Sequence, residues 1–94
     1  MDINLIEKRE VRKYHKNGNL MYETTFGIVP PSFKNLFENT ILSPSGEILI
    51  RIGMTRRFWD NGQLNWQLKY ENNGALSKDR FPSFRKDGSI IQYE

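Results

Sequence analysis

The chain has no cysteine and one histidine, His15. The first absence excludes disulfides and cysteine-held metal. The second leaves no legible pairing of nucleophile and base, and a histidine beside a turn reads as surface decoration. The acids are scattered rather than clustered at the spacing that metal ligation needs. Neither glycine phrase that cradles phosphate, GxxxxGK[ST] or GxGxxG, occurs. "DNG" at 60–62 and "KDG" at 86–88 echo calcium loops, but the rest of the twelve-residue calcium-loop pattern is missing. No apolar run approaches the ~20 residues of a membrane span. The opening "MDINLIEKRE" starts acidic and holds too short an apolar stretch for a secretory leader. These absences together predict a non-enzyme with no cofactor and no metal, working in a reducing cytoplasm. Charge of one sign is also scarce: 14 Lys+Arg stand against 11 Asp+Glu. That balance tolerates an anionic partner without demanding one. The 94 residues make one domain, 1–94, with a thin core.

What is present is a phrase. "FWDNGQLNWQLKYENNGAL" (58–76) holds it twice: Phe58, Asn61, Gly62, Leu64, then Tyr70, Asn73, Gly74, Leu76. "YHKNGNL" supplies Tyr14, Asn17, Gly18 and Leu20; "FRKDGSI" supplies Phe84, Asp87, Gly88 and Ile90. "LSPSGEI" is a weaker fifth copy, with Leu42, Ser45, Gly46 and Ile48. The glycines are 28, 16, 12 and 14 residues apart, an irregular array rather than a strict solenoid.

Asn-Gly or Asp-Gly between apolar runs is a strong hairpin signal. The flanks select the hairpin. A two-residue turn at Asn17-Gly18 would set His15 against Leu20. A three-residue loop with a left-handed glycine in a G1 bulge sets Tyr14 against Leu20 instead. That choice gives Tyr14–Leu20, Phe58–Leu64, Tyr70–Leu76 and Phe84–Ile90, with Leu42–Ile48 in the fifth copy. Extended without interruption, the same register puts Arg56 opposite Trp66, Arg57 opposite Asn65 and Met21 opposite Lys13.

Leu64, Trp66, Leu68 and Tyr70 alternate with polar residues, as a half-buried strand does. This strand can pair back to 55–59 and forward to 75–80. Leu20, Tyr22, Thr24 and Phe26 alternate likewise. "EILIRIGMTRRFW" is too long for one plain strand, and Gly53 should mark a bulge or bend. Pro30-Pro31 ends any strand. Ser32 can cap a short helical turn whose Phe33, Leu36 and Phe37 share a face. The segment 26–40 is thus expected to plug one end of the sheet; the alternative is a partner-docking loop. The fold class is all-β: a single antiparallel meander of consecutive hairpins, with a short helical or irregular insertion around residues 30–39.

The phrase Y/F-x-x-N/D-G-x-L/I, repeated in a small chain, resembles the short MORN-repeat variant found in bacterial YwqK-like antitoxins. The likeness covers 14–25, 58–79 and 84–94 well and 42–51 weakly. It does not cover 1–10 or the plug, and the longer MORN signature is not met. The resemblance implies successive antiparallel hairpins serving as a binding scaffold. Roles ascribed to such repeats are protein contact, membrane association and toxin neutralisation. The motif residues Asn17, Gly18, Gly46, Asn61, Gly62, Asn73, Gly74, Asp87 and Gly88 are structural turns and carry no role over.

The reading that follows is a binding protein that docks on another protein and inhibits or neutralises it: an antitoxin, an immunity protein or a phage-borne inhibitor of a defence nuclease. Its candidate contacts are Lys13, Met21, Arg57, Trp59 and Lys69. Trp59 lies one residue after a motif aromatic and so breaks the polar side of its strand; exposed Trp, Met and Arg compose interaction patches. Folding of residues 1–10 or the plug over Trp59 is the competing expectation. The alternative function is an RNA- or single-stranded-DNA-binding sheet, since Arg56, Arg57, Trp59, Trp66 and Lys69 interleave charge with aromatics. A membrane role is not expected: the cluster Lys8, Arg9, Arg12, Lys13, Lys16 is offset by Glu7 and Glu10.

Overall fold

The structure is a computed structural model and describes residues 5–91. Its strands are β1 (Glu7–Tyr14), β2 (Leu20–Val29), β3 (Ile41–Leu42), β4 (Ile48–Phe58), β5 (Leu64–Tyr70), β6 (Ser83–Phe84) and β7 (Ile90–Ile91). A 3-10 helix spans Pro31–Leu36. All strand pairs are antiparallel. β4 is the spine: β2 runs along one side of it, while β3 and β5 lie end to end along the other. β1 closes the far side of β2, and β6–β7 form a separate hairpin.

Each phrase builds the expected loop. Tyr14–Leu20, Leu42–Ile48, Phe58–Leu64, Tyr70–Leu76 and Phe84–Ile90 are all cross-strand partners. The five turn glycines have φ between 88° and 91°, which only glycine adopts without strain. At the first turn the Gly18 N–H donates to His15 O (2.9 Å) and the His15 N–H to Asn19 O (2.8 Å), closing a three-residue bulged loop. The other four repeat both bonds. The residue before glycine has a visible task. Oδ1 of Asn17, Asn61, Asn73 and Asp87 accepts the backbone N–H two positions on, at 2.9–3.0 Å. In the fifth copy Ser43 Oγ takes the Glu47 N–H (3.0 Å), so Ser45 is relieved of that role. This is the Asx-turn chemistry that favours Asn and Asp at such sites.

The turns fall at two ends. Those at Gly18, Gly62 and Gly88 gather at one, which can be called the ladder end; those at Gly46 and Gly74 point to the other, the plug end. The core lies toward the plug end: Val29, Ile50 and Ile52 are buried, with Leu5, Phe37 and Ile48 packed against them. Ile50 is fully enclosed, at 0% exposure. Here β2 and β4 carry Val and Ile on paired positions, and the plug and the Gly74 turn cover them. The Glu38 N–H donates to Asn73 O (2.8 Å) and Asn39 Nδ2 to Gly74 O (3.0 Å). Thr24 and Thr55, both buried, share a hydrogen bond of 2.6 Å.

Four local expectations are corrected. Met21 and Asn65 are extra residues in second bulges, so Lys13 faces Tyr22 rather than Met21, and Arg57 faces Trp66 rather than Asn65; Arg56 faces Gln67, not Trp66. The two bulges interrupt the alternations read through Leu20–Tyr22 and Leu64–Trp66. Ser32 does not cap the 3-10 helix: Pro30 occupies the cap position and makes no side-chain bond. Of the three apolar residues Phe33, Leu36 and Phe37 only Phe37 reaches the core, while Phe33 and Leu36 stand exposed: in a 3-10 helix residues three apart share a face, and Phe37, the C-cap, leaves in another direction. β5 pairs forward through little more than Leu76, with the Ser77 N–H donating to Lys69 O. Gly53 does mark a bend: φ is 68°, and three residues of β4 stand against Thr24 alone.

Candidate functional site

The ladder end is joined by polar bonds that run from each turn to the next. Asn17 Nδ2 donates to Asp60 O (2.6 Å), helped by Asn19 Nδ2 to the same oxygen (2.7 Å); Asn61 Nδ2 donates to Lys86 O (2.8 Å). A second series lies beneath. His15 Nε2 donates to Phe58 O (2.9 Å) and Trp59 Nε1 to Phe84 O (2.8 Å). A carbonyl only accepts, so the His15 proton on that bond sits on Nε2. The position after the motif aromatic therefore carries a ring N–H that binds the next motif aromatic's carbonyl. Trp59 has this job and is half-buried. Neither residues 5–10 nor the plug meets its indole N–H; the last hairpin does.

Both series stop at the last hairpin. Asp87 has no amide donor and instead accepts from Ser89 Oγ (2.6 Å). Arg85 turns back to Ile90 O in its own hairpin (3.1 Å). The Lys86 ammonium holds the Asp60 carboxyl below the usual carboxylate range (2.7 Å), and Ser89 does the same for Asp87. At the plug end Arg9 lowers Glu47, and Glu47 raises the Arg9 guanidinium in turn.

The mid-sheet has two unlike faces. On one, Arg12, Glu23, Arg56 and Gln67 stand in register across β1, β2, β4 and β5. Glu23 binds Arg56 (3.1 Å) and Arg12 (3.7 Å), and Arg56 Nε donates to Gln67 Oε1 (3.2 Å). On the other, the next register row is Lys13, Tyr22, Arg57 and Trp66. Four residues along β2 on that same face, Phe26 faces Arg51, whose guanidinium stands 5.3 Å from the ring centroid.

The structure thus brings Lys13 and Arg57, both exposed, into one row. Met21 sits in its bulge, and Lys69 lies opposite Met54, its Nζ 3.4 Å from Asp79 Oδ2. Trp59 joins neither. Tyr22 and Trp66 were missed as members of this row because the extra residues at Met21 and Asn65 shift the phase, and nothing in their own sequence marks them as bulges.

A third surface lies at the plug end. Phe33 and Leu36 of the 3-10 helix, Leu42 of β3 and Leu76 after the Gly74 turn all stand exposed; Leu42 reaches 73%. Leu76 continues with Leu68 and Phe81 into a shallow hollow. Among the described residues no group of three His, Cys, Asp or Glu is placed to hold a metal, and no helix is long and apolar enough to cross a membrane. No family model, no curated protein and no solved structure matches the chain.

Proposed function

We propose that the chain is a non-catalytic binding protein that docks on another protein and blocks it, as an antitoxin, an immunity protein or a phage-borne inhibitor of a defence nuclease does. The observation that carries this reading is the apolar plug end. Phe33, Leu36, Leu42 and Leu76 remain exposed beside a well-buried core, where the chain had apolar side chains to spare for burial. Large apolar side chains left in solvent on so small a protein supply the material of a contact surface. The plug then serves as the docking loop that its Pro-Pro and aromatic content allows. The lack of catalysis is supported by the occupations of the polar groups. Glu23, Glu47, Asp60 and Asp87 are engaged by Arg56, Arg9, Lys86 and Ser89, and the His15 ring N–H is held by a carbonyl. The likeness of the phrases to the short MORN variant agrees with a scaffold of this kind, and a cytoplasmic partner fits the cysteine-free chain.

The test is paired capture. Wild type and Leu36→Ser/Leu42→Ser, immobilised side by side, should melt within a few degrees of each other, because both side chains are exposed. A protein retained by wild type should lose about 2 kcal/mol of affinity for the variant, the scale of a hot-spot loss. Identical retention by both would remove the plug end as the dock.

A further inference from the structure

The row Lys13, Tyr22, Arg57, Trp66 crosses the middle of the sheet, and its chemistry differs from that of the exposed apolar side chains of the plug. We infer that this face of the sheet is a single-stranded nucleic-acid-binding surface, with Lys13, Arg51 and Arg57 meeting phosphates and Tyr22 and Trp66 stacking on bases.

The contrast between the two sides of the same four strands carries the inference. One side neutralises its charges across the strands through Glu23. The other alternates cation, aromatic, cation, aromatic and, among the described residues, gives Lys13, Arg51 and Arg57 no ion pair. The acids that reach that face, Glu7 of β1 and Glu47 before β4, stand at its far end and both bind Arg9, which lies opposite Phe26. Arg57 is exposed, and its neighbour across β2 and β5 is an aromatic on either side.

Strands lie about 4.8 Å apart, so the row spans ~14 Å from Lys13 to Trp66, with a cation beside each ring at one strand spacing. A chain of phosphates and splayed bases presents charge and π-surface alternately on that scale. Sheets that bind single strands combine basic side chains for the backbone with aromatic platforms for the bases. An acidic protein segment would satisfy the cations but would leave the two rings without a reason to alternate with them. A duplex would hide its bases from the rings.

The experiment uses the full chain with fluorescein-labelled dT15, U15 and the dA15·dT15 duplex, read by anisotropy. Binding of a single strand should be micromolar at about 50 mM salt. If three phosphates are neutralised, affinity should fall ~20-fold by about 200 mM, because each contributes about −0.7 to the logarithmic salt slope. Lys13→Gln/Arg57→Gln, which touches only exposed side chains, should bind at least about tenfold more weakly and flatten the slope. Trp66→Phe should keep the fold and most of the binding while removing the quenching of tryptophan fluorescence that stacking on Trp66 produces. U15 above dT15 assigns RNA, and the reverse assigns DNA. The proposal is overturned by no binding at 100 µM protein in about 50 mM salt. It is also overturned by an unchanged Lys13→Gln/Arg57→Gln variant, by equal competition from poly-glutamate of matched charge, which would assign an acidic protein partner, or by preference for the duplex.

Discussion

The turns at Gly74 and Gly62 are written in nearly the same letters twelve residues apart, yet different forces hold them. Gly74 is buried: a Cβ there would run into the Glu38 carbonyl oxygen and stand 3.0 Å from Ile50 Cγ2. Gly62 is open, with nothing within 4 Å of the same position. The plug end is held by apolar burial and close backbone approach. The ladder end is held by amide and ring N–H groups that reach the next turn's carbonyls. A motif fixes the shape of a loop; what the loop is then used for depends on what lies against it.

The largest test of that contrast is glycine replacement. Gly74→Ala should cost about 3 kcal/mol or more, since strain at positive φ adds to overpacking against backbone and Ile50. Gly62→Ala should cost only about 1 kcal/mol, from strain alone. Denaturant midpoints of the two variants measure the difference, and equal losses would mean that the ends do not differ in kind.

A smaller effect is expected at the amide ladder. Asn61→Asp keeps the acceptor for the Gln63 N–H but removes the donor to Lys86 O, and should cost about 0.5–1.5 kcal/mol. Asp87→Asn, where no onward carbonyl is engaged, should be within about 0.5 kcal/mol of wild type. If Asp87→Asn destabilises more than Asn61→Asp, the Asp87–Ser89 bond outweighs the ladder.

The smallest effect is on pH. Glu47, Asp60 and Asp87 titrate below their ordinary range in the folded chain. Groups lowered in this way add stability that is present above the unfolded value, near 4, and is lost as pH falls through the folded values. The melting temperature should therefore hold from pH 7 to 5 and decline below about 4.5. Asp60→Asn should make that decline shallower. A decline of unchanged steepness would show that the Lys86 pair, being exposed, is screened to nothing.

Much of this was readable in the chain. The loop length, the left-handed glycines and all five cross-strand pairs follow from residues within four positions of each turn, because Asx turns and G1 bulges are local. The bulges at Met21 and Asn65 were not readable: each lies in its own hairpin three residues past the turn glycine, and neither position carries the glycine that would mark a bulge in the letters. Trp59 looked like a misfit because its partner, the Phe84 carbonyl, is backbone and leaves no trace in the letters. Phe33 and Leu36 were expected inside because apolar spacing reports which residues share a helix face, not whether two turns of 3-10 helix deliver that face to a core.

The ladder has an arithmetic of its own. Successive turns alternate between the two ends, so at the ladder end the donors of one turn reach not the next phrase but the one after it. Growth of such a chain by duplication is therefore constrained to even steps. Repeating 63–74 would send the following turn to the wrong end and orphan its donors. Repeating 63–88 would add one turn at each end and keep the count, except that the inner Asp87 would be an end-stop in the middle of the ladder. A chain with 63–88 doubled and the inner Asp87→Asn should melt above the same duplication without that change. Asp87, which lacks the amide donor, and Arg85, which bonds back to its own hairpin, are thus the two residues at which the donor series stop.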